Sequence, residues 1–257
     1  MDNNHKNVES FKNDCGHILN DIWYPRVTKI VDIKAKPALY RYYAAAKSYD
    51  SAEKSKNMAA EEGTMVHEVV EKILLGENPI IPLRIAPSIK AFLEFIEINH
   101  VQTEPDFIER RIQNDEHRYS GTIDAMALIH GKFGVLDIKT SQAIYRDYNL
   151  QTSAYMAALK PDFNNLETRW ILRIDQERSC KNCEATLREK GGSIKIRFPW
   201  PRKKIPCPVS NHNWCEVKGI IELKEFTNWE NDFNAFLGAK KLWEWENEFW
   251  LKEIGYI

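Results

Sequence analysis

Long apolar runs, net charge and internal repeats are what this 257-residue sequence lacks. No uncharged apolar run approaches the roughly 18 residues of a bilayer-spanning helix, which excludes a helical membrane protein. Lys+Arg 36 against Asp+Glu 37 leaves a formal net charge of −1, so the chain is no uniformly basic glove for nucleic acid, although local basic patches stay open. Neither a repeat nor a low-complexity segment is present, and 43% hydrophobic residues exclude wholesale disorder and collagen-like structure. The opening MDNNHKNVES has no basic-then-apolar signal pattern, from which a cytoplasmic, intracellular location is expected.

Cysteine is scarce except in one place. Of five, Cys15 stands alone while Cys180, Cys183, Cys207 and Cys215 fall in a short stretch. An odd count in a reducing compartment argues against a disulfide framework and for metal.

The patterning orders the remainder. PRVTKIVD from Pro25 reads as a short strand or turn. Residues 37–76 read as two helices, the second opening after Gly63-Thr64 and closing at Gly76, with Val66, Val69, Val70, Ile73 and Leu74 at helical spacing. A third helix, 88–100, places Ile89, Phe92, Leu93 and Ile96 on one face. DFIERRIQ, SGTIDAMALIHG and KFGVLDIKTS follow as three antiparallel strands with turns at Asn114-Asp115 and Gly131. Then come a helix ended by Pro161, a strand over 167–175, the cysteine stretch, a strand over 219–226 and a long aromatic helix. Trp229, Phe233, Phe236 and Leu237 are expected on that helix's buried face. The order predicts an α/β fold with a mixed central sheet flanked by helices. The core spans 1–177 and 218–257; 178–217 is an insertion.

In GVLDIKT, strand alternation puts Asp137 and Lys139 on one face and Ile138 on the other. Asp124, on the preceding strand of the same hairpin, can converge with Asp137. Two converging carboxylates repel unless a divalent cation sits between them, and an oxygen-rich site with open water positions suits Mg²⁺ or Mn²⁺. A lysine beside that ion can stabilise charge on a phosphate or help activate water.

Asp124 followed by Asp137-Ile138-Lys139 resembles the PD-(D/E)XK nuclease signature, and the neighbouring residues resemble its RecB-like exonuclease branch. Gly63-Thr64-x-x-His67 is similar to that branch's helical histidine motif, Gly121-Thr122-Ile123-Asp124 to its G-T-x-D strand, and Asp137 to Ser141 to its D-x-K-T-S strand. Gln151-x-x-x-Tyr155 resembles the following helical motif. Pro25 to Ile30 with Lys36 to Leu39 resembles the lead-in of phage and mitochondrial genome maintenance exonucleases. The likeness covers roughly residues 24–175, in order.

It implies a restriction-endonuclease-like core and a metal-dependent deoxyribonuclease, an exonuclease acting on DNA ends or single strands in replication, recombination or phage DNA processing. Asp124, Asp137, the Ile138 carbonyl and His67 would bind Mg²⁺ or Mn²⁺, Lys139 would be catalytic, and Gln151 and Tyr155 would position the scissile strand or the lysine. Glu71, one turn after His67, would orient the ring, and Glu109 stands where the branch often carries an acid. Two alternatives stay open: a weakly active or inactive nucleic-acid-binding module on this scaffold, and an Fe–S nuclease of the CRISPR-adaptation type.

The insertion, Cys180-x2-Cys183-x23-Cys207-x7-Cys215, begins like a zinc ribbon, because a C-x2-C turn sets two thiolates on one tetrahedral ion. Four cysteines make the simplest zinc site, with His212 the alternative to Cys215. A [4Fe–4S] cluster drawing on Cys15 is the other option. Residues 186–204 carry Arg188, Lys190, Lys195, Arg197, Arg202, Lys203 and Lys204 against a single acid, Glu189. Phe198 and Trp200 are interleaved, as in surfaces that stack unpaired bases. Lys195, Arg197, Trp200, Arg202, Lys203 and Lys204 are the expected nucleic-acid contacts.

Overall fold

Sheet order explains most of the architecture. The computed structural model describes residues 5–198, 201, 204, 205, 207, 208 and 211–257. A short antiparallel pair, β1 (Gly16–Leu19) and β2 (Ile22–Pro25), lies beside a seven-stranded sheet. That sheet runs β3 (Ile108–Asn114), β4 (Tyr119–Ile129), β5 (Lys132–Lys139), β6 (Thr168–Ser179), β7 (Thr186–Lys190) and β8 (Ser193–Arg197), with β9 (Lys218–Phe226) also paired to β6. Only β5 and β6 are parallel, as the intervening helix α6 (Asp147–Leu159) requires. The mixed α/β sheet expected from the element order is present.

Helices cover both faces. On one side α4 (Tyr49–Leu74) and α5 (Ala86–Ile98) lay Val66, Val70, Ile89 and Phe92 against Ala125, Leu136, Ile138 and Leu172. On the other, α1 (Val8–Cys15), α2 (Val27–Val31), α6, α7 (Glu230–Glu246) and α8 (Glu248–Glu253) bury Phe11, Ile30, Tyr155, Phe236 and Trp243 against Ile123 and Val135. The remaining helix, α3 (Pro37–Ala45), packs on α4. Among the described residues no helix is long and apolar enough to cross a membrane.

Several boundaries differ from expectation. The break between the two N-terminal helices falls at Ala46–Ser48, where Ser48 and Ser51 form a reciprocal cap, and α4 runs unbroken through Gly63. A mid-helix glycine costs about 1 kcal/mol, which the buried flank of α4 offsets. Gly76 does close it: with φ 79, its amide reaches Ile73 and that of Glu77 reaches Lys72, a Schellman ending. PRVTKIVD becomes the end of β2 plus α2. Leu93 is exposed, and Asn247 divides the C-terminal aromatic helix.

Arg169 is a buried brace between α6 and the C-terminal segment. Its guanidinium donates to Asn149 O at 2.6 Å, to Thr152 Oγ1 at 3.1 Å and to Asn228 O at 3.1 Å, and pairs with Asp232. Arg169→Met strips a partly buried carboxylate and two carbonyls of their donor. Urea denaturation should register a loss of about 3–5 kcal/mol; a loss under about 1 kcal/mol would show that water replaces the guanidinium.

Candidate functional site

β4 and β5 stop pairing at Ala125↔Leu136. Asp124 and Asp137 are the first residues past that rung, so they stand where two sheet strands splay open. The ladder hydrogen bond lost there is replaced: the Ile138 amide donates to Asp124 Oδ2 at 2.5 Å. Strand alternation also breaks at Asp124, since Ile123 and Met126 enter one core while Ala125 and Ala127 enter the other. Glu109, across from Asp124 on β3, has φ 47. Such a left-handed conformation is uncommon for a non-glycine residue, and strain of this kind collects at functional sites.

Four of the expected site residues come together here. Lys139 Nζ lies 2.7 Å from Asp137 Oδ2, and His67 Nδ1, on α4, lies 3.7 Å from Asp124 Oδ1. Asp137 is 1% exposed, yet neither of its side-chain oxygens has a hydrogen-bond partner; the lysine contact is an ion pair without hydrogen-bond geometry. A carboxylate buried this way rests on the Lys139 ion pair and keeps lone pairs that could bind a further cation.

Electrostatics follow from that burial. It pushes Asp137 up to about 6 against the pull of Lys139, and it raises Asp124 too despite Lys139 and the Ile138 amide. Burial alone would lower Lys139, but Asp137 and Asp124 outweigh it and keep the ammonium charged. Desolvation, helped by Lys139, holds His67 down at about 4, so the imidazole is neutral and has a lone pair to give. Burial, Asp124 and Glu71 push Glu109 up to about 7.

Gln151 Nε2 donates to the Tyr155 hydroxyl at 2.8 Å, and the ring of Tyr155 is buried. The two motif glycines make room for these groups. A Cβ on Gly121 would lie 2.7 Å from Tyr155 Cε1, and one on Gly63 would lie 2.8 Å from Thr140 Oγ1. Gly121→Ala should therefore displace Tyr155 and cost about 1–3 kcal/mol by overpacking, read as a lower urea midpoint with changed near-UV circular dichroism. An unchanged midpoint would mean the ring yields freely. Tyr148 escaped the sequence reading: Lys139 Nζ lies over its ring, 5.1 Å from the centroid. Its signal was the seven-residue spacing to Tyr155, two turns on one helix face.

The insertion forms a second centre. Ligand atoms of Cys180, Cys183, Cys207 and His212 all lie within 4.8 Å of one another. Cys180 and Cys207 sulfurs are 4.0 Å apart, near the ~3.8 Å edge of a tetrahedron built on ~2.3 Å zinc–sulfur bonds. His212 Nδ1 is 3.5 Å from Cys183 Sγ, and its Nε2 is buried without a partner. Burial works against ionisation of Cys180, but His212 and the amides of Cys183 and Asn182 draw it down to about 6. Burial and the neighbouring thiols push Cys207 up to about 11.

The four-cysteine set is thus replaced by three cysteines and His212. Trp214, not Cys215, pairs with Cys180 across an antiparallel bridge, so alternation turns Cys215 to the opposite side, where its amide meets Ser179 O. Cys15 sits apart in the aromatic core around Phe11 and cannot supply a cluster ligand.

The basic stretch is used partly as a clamp. Arg188 and Lys190 both donate to Thr140 O, at 3.2 and 2.5 Å, and Arg188 also bonds Asp175. Lys195 and Arg197 both reach Gln142. The cysteine finger thereby grips the segment that follows Lys139. Lys204 is exposed; Trp200, Arg202 and Lys203 lie outside the described residues. Compared with models of known protein families and with curated proteins, the chain matches none, and the geometry of these two centres is what carries a functional reading.

Proposed function

We propose that this chain is a metal-dependent nuclease of the PD-(D/E)XK type, RecB-like branch, hydrolysing phosphodiester bonds in DNA from ends or in single strands. The observation that carries the reading is the Asp137 carboxylate, buried beside Asp124 and His67, ion-paired with Lys139 and without a hydrogen bond to either oxygen. A divalent cation such as Mg²⁺ or Mn²⁺, held by Asp124 and Asp137 with His67 beside them, would supply charge neutralisation and a more acidic water.

The other roles belong to the chain itself. Lys139, kept charged by both carboxylates, offers its ammonium to oxygens of the scissile phosphate as negative charge grows on them. Tyr148 limits where that ammonium can swing, and Tyr155, fixed by Gln151, lies buried within the field of Asp137 and Asp124. Glu109, with its carboxyl near neutrality, stands across from Asp124 as a group able to exchange a proton at working pH. The Cys₃His centre suits a structural zinc, since all four positions are filled by protein and none is left for substrate.

The test is cleavage of linear and circular, single- and double-stranded DNA with Mg²⁺, Mn²⁺ or chelator. Degradation of linear single strands that chelation stops is the expected result. Leaving every substrate intact with both metals would overturn the proposal.

A further inference from the structure

A cleft of about 1020 Å³ opens between α3–α4 and the β7–β8 hairpin, larger than the ~300–1,000 Å³ typical of small-molecule sites. Arg41, Lys47 and Lys56 line one wall and Arg188, Lys190 and Lys195 the other; among the described lining residues there is no carboxylate. Two of the six have acidic partners, Lys56 with Glu53 and Arg188 with Asp175. Lys195 bonds a neutral acceptor, Gln142 Oε1, and among the described residues Arg41 reaches only the Pro37 carbonyl, so neither is set against a carboxylate; Lys190 bonds Thr140 O, with Asp175 and Glu62 nearby.

The cleft has a direction. Ser51, Ser55 and Ala59 of α4 line it, and the next turns of the same helix, Gly63 and His67, line a second cleft that adjoins the acid–lysine site through His67 and also holds Glu68, Glu71 and Glu109. Thr140 faces that second cleft and Gln142 the first. The two clefts follow one another along α4, Ala59 lining the first and Ala60 the second.

Its walls meet at the bottom. Gly191 presses so closely on α4 that a Cβ there would lie 2.3 Å from Ser55 O and 2.7 Å from Ala59 Cβ. The hairpin achieves this with a tight turn, Gly191 and Gly192 having φ 58 and 72. A duplex turns its phosphates outward over its whole circumference and would touch only the rim. One strand can descend and meet cations on both sides. Tyr42 and the exposed Ile194 offer faces on which bases can rest.

We infer that this cleft binds a single strand of nucleic acid and leads it along α4 to the acid–lysine site. The inference rests on the nuclease reading for its destination, but binding itself needs no cleavage.

The experiment is fluorescence anisotropy of a labelled oligothymidylate with the full, zinc-loaded chain in buffer free of Mg²⁺, Mn²⁺ and chelator, so that the finger keeps its metal and no hydrolysis occurs. Arg41 and Lys47 are exposed, so their reversal should leave the fold intact. R41E/K47E should weaken binding about tenfold or more and reduce the slope of log affinity against log salt by about 1.4, two phosphates at ~0.7 each. K90E, an exposed lysine of α5, should bind within about twofold of the parent. Oligonucleotide binding that R41E/K47E leaves unchanged, equal or tighter binding of a duplex of the same length, or no binding at all would each overturn the inference. The two readings separate cleanly. Charge-sensitive binding without cleavage under Mg²⁺ or Mn²⁺ removes the nuclease and keeps the cleft; cleavage with charge-insensitive binding does the reverse.

Discussion

Asp137→Asn is expected to cut metal-dependent DNA cleavage by at least about a thousandfold, the ~4 kcal/mol that one anionic contact to a catalytic ion commonly supplies to the transition state. The same substitution should stabilise the metal-free chain. The carboxyl is buried and its pKa is raised to about 6, against about 3.9 unfolded. A raised carboxyl favours the fold while protonated: that stability is fully present below the unfolded value and is lost as pH rises through about 6. At pH 8 the ionised group therefore opposes folding by about 3 kcal/mol, and asparagine, with the same shape and no charge, removes the term. Urea titrations in chelator at pH 5 and pH 8 decide it. The parent should lose stability between these values by more than Asp137→Asn does. A variant less stable than the parent at pH 8, or one that still cleaves, would mean that Lys139 alone satisfies the carboxylate and that no cation is needed there.

Local pattern carried the strand-and-helix order and the pairing of Asp137 with Lys139, because period-2 alternation is a property of the backbone. It stopped short where tertiary packing decides. Asp124 lies at a break in alternation, and nothing in SGTIDAMAL announces that the ladder to β5 ends one residue later. Gly63 looked like a helix start because glycine lowers helix propensity; its real constraint is Thr140, 77 positions on, pressing on α4. The Cys215–His212 choice needed the Cys180↔Trp214 bridge, a pairing of residues far apart in the chain. Composition revealed the basic stretch as a whole but not its division: Lys195 and Arg197 turn inward to Gln142, while Arg41 of α3 and Lys47 of the link to α4, a region with no charge run, complete the cleft. Long-range contacts leave no local periodicity to read.

Purified chain should carry about one zinc, and single substitutions should sort the ligands: Cys207→Ser and His212→Ala lose the metal, while Cys215→Ser keeps it. The argument is the weakness of everything else in the finger. Among the described residues its core contains Cys180, Cys183 and Ala185 buried, with Ile196, Phe198, Cys207 and Trp214 only partly covered. Ordering backbone costs ~1–2 kcal/mol per residue, and so small an apolar cluster cannot meet that cost over the insertion. The ~10–16 kcal/mol of a structural zinc site can. Among the described residues the two large cores contain none from the finger, so the finger should open alone. Stripping the metal should expose the insertion to protease while the urea transition of the remainder survives. Amide exchange should rise in β7 and β8, and also over Thr140 to Gln142, whose carbonyl and side-chain partners are Arg188, Lys190, Lys195 and Arg197. Because that segment directly follows Lys139, cleavage should fall about 10–100-fold, the usual effect of losing groups that hold a metal site's supporting shell. Iron in place of zinc, with a brown absorbance, would replace the Cys₃His assignment by a cluster. Loss of metal from Cys215→Ser would restore the four-cysteine set. Unchanged exchange at Thr140 to Gln142 after stripping would mean that the finger rests on the core without shaping it.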